Sequence, residues 1–289
     1  MDSEEQSAII DQQMSASVNK SKQYTKLLLV SDYFLSVHKY TKVEEPLLQA
    51  TKLCPELAVG HAKLGEFHLR YGDIPSAKEH LETARRLDPL DVQNLVNLCA
   101  YYELMGPPEE TKQVAKEILA LEPTNVQALV VLGCHYSIEG QQAKALVFLQ
   151  KTTTLEPTND TIWYNLSLVY HKQGNLQEEM KCLTNAIGRN PFCAEYWCQL
   201  GFCHKSLVEY DESLDCLWQA NRAVMYDPSI VFEIAVVYAL KKNKEMTLET
   251  LRLAKDEDFP LCEEILKEEA FTFLKSDRDF QLLLASLSN

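Results

Sequence analysis

Apolar residues recur along this chain in paired stripes, and the whole pattern returns every thirty-four residues. Within each period the fourth, seventh and eleventh positions are large and mostly apolar: Leu27/Val30/Phe34, His61/Leu64/His68, Leu95/Leu98/Tyr102, Leu129/Leu132/Tyr136, Trp163/Leu166/Tyr170, Trp197/Leu200/His204 and Val231/Ile234/Tyr238. Spacings of three, four and seven mark one face of an α-helix. A second stripe, three residues apart, follows in each period: Leu47/Ala50, Leu81/Ala84, Ala115/Ile118, Leu149/Thr152, Leu183/Ala186, Leu217/Ala220 and Leu251/Ala254. It predicts a second helix, so each period reads as helix–turn–helix.

The punctuation agrees. Glycines at Gly72, Gly106, Gly140 and Gly174 end the first helix, where a left-handed cap costs glycine least. Prolines at Pro55, Pro89, Pro123, Pro157 and Pro191 stop the second. The eighth position is small in every copy (Ser31, Gly65, Cys99, Gly133, Ser167, Gly201, Ala235), which lets a neighbouring helix come close. The pentapeptide LEPTN, at Leu121–Asn125 and again at Leu155–Asn159, marks two junctions between successive units. Seven units follow, at 24–57, 58–91, 92–125, 126–159, 160–193, 194–227 and 228–261. One helix pair cannot bury both of its stripes, so neighbours must stack.

Outside the repeat, residues 1–23 are polar and charged with only a weak Ile9/Ile10 pair, and read as a mostly disordered tail. Residues 262–289 break the pattern but carry Ile265, Phe271, Leu274, Phe280 and Leu283, with Ser276 as an expected helix N-cap. They predict one or two helices that either cap the end of the stack or dock onto a partner.

These residues resemble the tetratricopeptide-repeat family. The clearest copy begins at Asp160 and holds Trp163, Leu166, Ser167, Tyr170, Gly174, Leu183, Ala186 and Pro191. It departs at position twenty, where Glu179 replaces a small residue; Val208 and Lys242 replace the turn glycine, and Met225 and Phe259 the proline. The resemblance implies an all-α, right-handed superhelical solenoid of antiparallel helix pairs. It also implies a concave face lined by the second, fifth, sixth, ninth, twelfth and thirteenth positions of each first helix. Here those positions supply a candidate partner-binding groove of Val96, Asn97, Gln127, Val130, Val131, Cys134, Tyr164, Asn165, Leu168, Cys198, Gln199, Phe202, Phe232 and Val236, with Glu66, Glu103, Glu195 and Glu233 adding negative charge. An apolar strip with amide rungs fits an apolar or amphipathic protein segment with basic flanks.

The resemblance also narrows the choice. Members that grip the carboxylate tail of a chaperone do so through Lys, Asn, Asn, Lys and Arg across three consecutive units. No three units supply that set: the second has Lys63 at position six but Ala62 at five and Glu66 at nine. A peptide-tail receptor of the co-chaperone or import type is therefore the alternative to a non-catalytic scaffold or adaptor.

Charge and chemistry refine this reading. A formal net charge of −14 repels phosphate backbones, so nucleic acid is not the expected partner. No apolar run reaches the ~20 residues of a membrane span. Nine cysteines lack framework spacing and no export signal precedes them, so reduced thiols in the cytosol or nucleus are expected. Cys193, Cys198, Cys203 and His204 are close in sequence but lack a C-x-x-C pair, and five residues of helix turn Cys203 about 140° from Cys198. His68 and His204 take a position that siblings fill with Tyr or Phe, which makes them packing residues first. No nucleotide loop or nucleophile elbow is present. Neither metal, cofactor, small-molecule substrate nor catalysis is expected.

Overall fold

The structure is a computed structural model that describes the backbone of residues 3–255 and 260–287. Phe259 lies outside the described residues. Among the described residues every regular element is helical, arranged as consecutive antiparallel pairs. The chain forms two compact halves, Met1–His135 and Tyr136–Asn289.

The first half contains α1 (Ser3–Ser36), α2 (Glu44–Leu53), α3 (Ala58–Tyr71), α4 (Ile74–Leu87), α5 (Val92–Met105), α6 (Pro108–Leu121) and most of α7 (Val126–Ile138). The second continues with α8 (Gln142–Leu155), α9 (Asp160–Lys172), α10 (Leu176–Arg189), α11 (Ala194–Ser206), α12 (Tyr210–Ala223), α13 (Pro228–Leu240), α14 (Lys244–Leu253), α15 (Leu261–Lys267) and α16 (Arg278–Leu287). From α3 to α13, each odd-numbered helix begins on the first residue of its predicted repeat.

The repeat positions do what their chemistry requires. Leu47, Leu81, Leu149, Leu183, Leu217 and Leu251 are all 1% exposed or less. Truncating any of them to alanine costs about 2–5 kcal/mol. The small eighth position faces this row. A Cβ on Gly65 would stand 2.7 Å from Leu81 Cγ, and one on Gly201 3.0 Å from Leu217 Cγ and 3.3 Å from the Ser213 carbonyl oxygen.

The LEPTN junction is a compact device. Asn125 Oδ1 accepts from the Ala128 N–H at 3.2 Å and so caps α7, while its own N–H donates to the Glu122 carbonyl at 3.0 Å and its Nδ2 to Glu122 Oε2 at 3.1 Å. Asn159 repeats the arrangement, accepting from the Thr161 N–H at 3.1 Å and donating from Nδ2 to Glu156 Oε2 at 3.0 Å. One asparagine both starts a helix and holds the preceding turn.

Three expectations are corrected. The segment expected to be a disordered tail is helical from Ser3, as part of α1; Met1 and Asp2 lie outside the described residues. No proline or glycine interrupts residues 3–36, and extending a helix already anchored by buried Tyr24 requires no new nucleus. The glycine ladder is left-handed at Gly140 (φ 77°) and Gly174 (φ 68°), but not at Gly72 (φ −128°) or Gly106 (φ −104°). Gly106 precedes a proline, which excludes helical backbone there, and a Cβ on it would lie 2.3 Å from the Tyr102 ring. Conversely His38, Val208 and Lys242, at the same position in their repeats, take the left-handed backbone without being glycine, with φ of 55°, 64° and 57°. Finally, Asp277 caps α16 in place of Ser276, accepting from the Asp279 and Phe280 N–H groups at 3.0 and 3.2 Å.

Candidate functional site

The candidate groove residues lie on the first helices of the repeats, α5, α7, α9, α11 and α13. In the first half, Val96, Val130 and Cys134 are half-buried and Gln127 is exposed. Asn97 and Val131 are buried, so they contribute packing more than surface. Gln93 Nε2 donates to Asn97 Oδ1 at 3.4 Å, which occupies that amide with its own helix.

The second half carries the larger strip. Tyr164, Asn165 and Leu168 on α9, and Cys198, Gln199 and Phe202 on α11, are all half-buried. Tyr164 is locked in place: its hydroxyl donates to Glu195 Oε1 at 2.5 Å, and its ring meets that of Tyr196 at 4.9 Å. Burial, followed by the Glu195 hydrogen bond and charge, raises the Tyr164 phenol far above its ordinary range, so it stays neutral. Below it, Asp160 Oδ2 accepts from Asn190 Nδ2 and from the Tyr196 hydroxyl, both at 2.9 Å, tying α9 to α10 and α11. These hydrogen bonds hold the Asp160 carboxyl below the usual carboxylate range, the Asn190 bond most. The wall is preorganised before any partner arrives.

A cavity of about 320 Å³ opens between α11 and α13. Cys198, Phe202, Ile230 and Phe232 give it apolar walls, and Glu233 and Glu264 add carboxylates. Both carboxylates are paired, Glu233 with Lys205 at 2.7 Å and Glu264 with Lys267 at 2.8 Å, and Lys205 lies over the Phe202 ring at 4.9 Å. Burial, with Asp227 and Glu233 nearby, pushes the Cys198 thiol up to about 11, so it behaves as a small apolar group at neutral pH.

Phe232 and Val236 do not lie on an open strip. They are 7% and 3% exposed and belong to one core with Leu248, Leu251, Leu261, Ile265, Phe271, Leu274, Phe280 and Leu283. The Phe232 and Phe271 rings meet at 5.9 Å. The C-terminal segment therefore covers α13 as a further repeat would. Phe232 only shows an edge to the cavity, and Val236 leaves the candidate site. Lys244 reinforces the cover with ion pairs to Asp277 at 2.5 Å and Asp279 at 3.2 Å.

One feature escaped the sequence. A cavity of about 260 Å³ in the first half is walled by Phe67, Tyr40 and Tyr71, the last two stacked at 4.5 Å. Its charges are paired internally, Lys63 with Asp32 at 2.6 Å and Arg70 with Glu66 at 3.1 Å. Tyr40 opens a short 3-10 helix, Tyr40–Lys42, between α1 and α2, whose placement the thirty-four-residue pattern does not encode. The paired lysine and arginine are not poised as a carboxylate clamp.

The cysteines of α11 do not converge. Cys203 is buried, its thiol pushed up to about 12 by burial and then by Glu179, while His204 Nδ1 is 2.7 Å from Glu209 Oε2. Among the described residues no group of three or more His, Cys, Asp or Glu side chains has the arrangement of a metal site. No helix among them is long and apolar enough to cross a membrane.

Comparison with known proteins places this geometry. Residues 91–187 match the family described as the cilia and flagella-associated protein 70 middle TPR-like domain. No curated protein matches the chain in sequence. A tetratricopeptide repeat protein from Parabacteroides merdae is similar over 93% of this chain and 100% of its own, at 14% identity and a TM-score of 0.63. MamA is similar over 56% of this chain and 95% of its own, at 21% identity and a TM-score of 0.52. A chain of the APC/C hetero-tetramer Cut9–Hcn1 covers 95% of this chain with 48% of its own, at 19% identity and a TM-score of 0.57. At these identities the likeness is one of fold.

Proposed function

We propose that this chain, a tetratricopeptide-repeat protein, is a non-catalytic scaffold that holds a segment of a partner protein against the first helices of its repeats. The observation that carries this reading is the strip of Tyr164, Leu168, Cys198 and Phe202 in the second half, half-buried beside a cavity with apolar walls. Apolar surface held rigidly on helices is a docking surface at little entropic cost. Its chemistry suits an amphipathic segment with an apolar anchor and basic flanks, and the net charge of −14 would speed the approach of such a segment. Val96, Val130, Cys134 and Gln127 are a second candidate patch in the first half. The chain would act in the cytosol or nucleus as a subunit of a larger complex.

The test is affinity capture from the native cell with wild type beside Tyr164→Asp/Phe202→Asp, both checked for helicity by circular dichroism. Partners lost only from the folded double variant support the reading. Partners retained by the folded variant refute the strip, and an unfolded variant would show that these side chains are core.

A further inference from the structure

Repeat 58–91 differs from all its siblings at two positions that converge in space, and carries histidine at a third, position eleven, as only repeat 194–227 also does. Positions four and twenty-three, which face each other across the helix pair, are His61 and His80. Siblings place Leu, Trp or Val at the first and Val, Phe, Cys, Pro or Thr at the second, never histidine. Position eleven is His68. Putting imidazoles into a seam that elsewhere is apolar costs desolvation unless the nitrogens are used.

His61 Nδ1 and His80 Nδ1 face each other at 3.3 Å, one from α3 and one from α4. Two metal–nitrogen bonds of about 2.0–2.1 Å opening at a tetrahedral angle place their nitrogens about 3.3–3.4 Å apart. We propose that His61 and His80 form a two-imidazole site for a divalent transition-metal cation of the Zn²⁺ or Co²⁺ type, clamped between α3 and α4. Among the described residues no third His, Cys, Asp or Glu completes the set, so water fills the remaining positions.

The charges around the two rings are mixed. Glu79 acts on both rings, opposed by Arg86 at His61 and by His61 and His68 at His80. His61 Nε2 is buried without a partner, while the Pro55 carbonyl acts on the same ring. A metal on Nδ1 fixes the proton on Nε2, the tautomer a backbone carbonyl supports. His68 is a positioning residue: its ring lies parallel to His80 within 11° at 5.9 Å, and its Nδ1 is turned towards Gly72.

The experiment uses the full chain without an affinity tag, stripped by chelator and titrated with Co²⁺ while visible absorption is followed, then with Zn²⁺ in competition. Wild type is expected to take up one equivalent. His61→Leu and His80→Val, which install residues that siblings carry, should weaken it by roughly tenfold or more. His171→Gln, at an exposed histidine in the other half, should bind as wild type. Should His80→Val lose helicity, His80→Gln replaces it. Absence of saturable Co²⁺ binding by wild type, or wild-type affinity in both seam variants, overturns the site and leaves the two rings as a hydrogen-bonded pair.

Discussion

At the scale of single residues, position fifteen of the repeat shows what a Cβ costs. Val208 is β-branched and holds φ at 64°, which L-residues pay roughly 1–2 kcal/mol to adopt. Val208→Gly should therefore raise stability in urea denaturation by about 1 kcal/mol. Gly174→Val should lower it by a similar amount through the backbone alone, since nothing lies within 4 Å of a Cβ there. No change in either variant would mean that the turn relaxes. Glu179 makes a second case. It is 3% exposed, its Oε1 is 2.9 Å from His171 Nδ1, and its Oε2 has no partner. Glu179→Met keeps the volume and removes a buried carboxylate, so stability should rise by about 1 kcal/mol or more; a loss would show that the pair with His171 outweighs its desolvation. The sequence exposes both sites as departures from the repeat. It does not disclose that the left-handed turn persists without glycine, because the conformation belongs to the fold and the residue only sets its cost.

At the scale of elements, the C-terminal segment is the clearest test. Phe232→Ala should cost about 3–5 kcal/mol, as for any buried phenylalanine, whereas Tyr164→Asp should leave helicity intact. Equal costs in a thermal melt would contradict the distinction between core and strip. Periodicity told which residues share a helix face, and it placed the first helices of the repeats from 58 onwards on their starting residues. It did not tell what covers a face. Phe232 and Val236 occupy groove positions, and only the course of α15 and α16 turns them into core. The pair α3 and α4 adds a pH dependence. His61 and His80 are depressed from 6.5 in the fold, so the unfolded chain binds protons more readily. Their contribution is complete above about pH 6.5 and declines as pH falls towards the folded values. In chelator, acid destabilisation should be shallower in His61→Leu/His80→Val than in wild type; equal slopes would place the proton uptake elsewhere.

For the whole molecule, charge sets how a partner approaches more than how it is held. With a net charge of −14, capture of a basic segment should slow and weaken between low and physiological salt. Capture indifferent to salt would point to the apolar anchors alone. The fold was legible because seven copies of one pattern average out local exceptions such as Met225, which replaces the expected proline and turns with φ at 65°. The site was less legible because a binding surface is defined by what the rest of the chain leaves uncovered.

The asparagine junctions carry a last consequence. At Asn159 the cap on the next helix and the brace on the previous turn lie within Glu156–Thr161. The instruction to end one pair and start another is thus written locally, and needs no distant contact to be read. Genetic duplication of a thirty-four-residue block would bring its own start and stop, and a chain so punctuated grows by whole words.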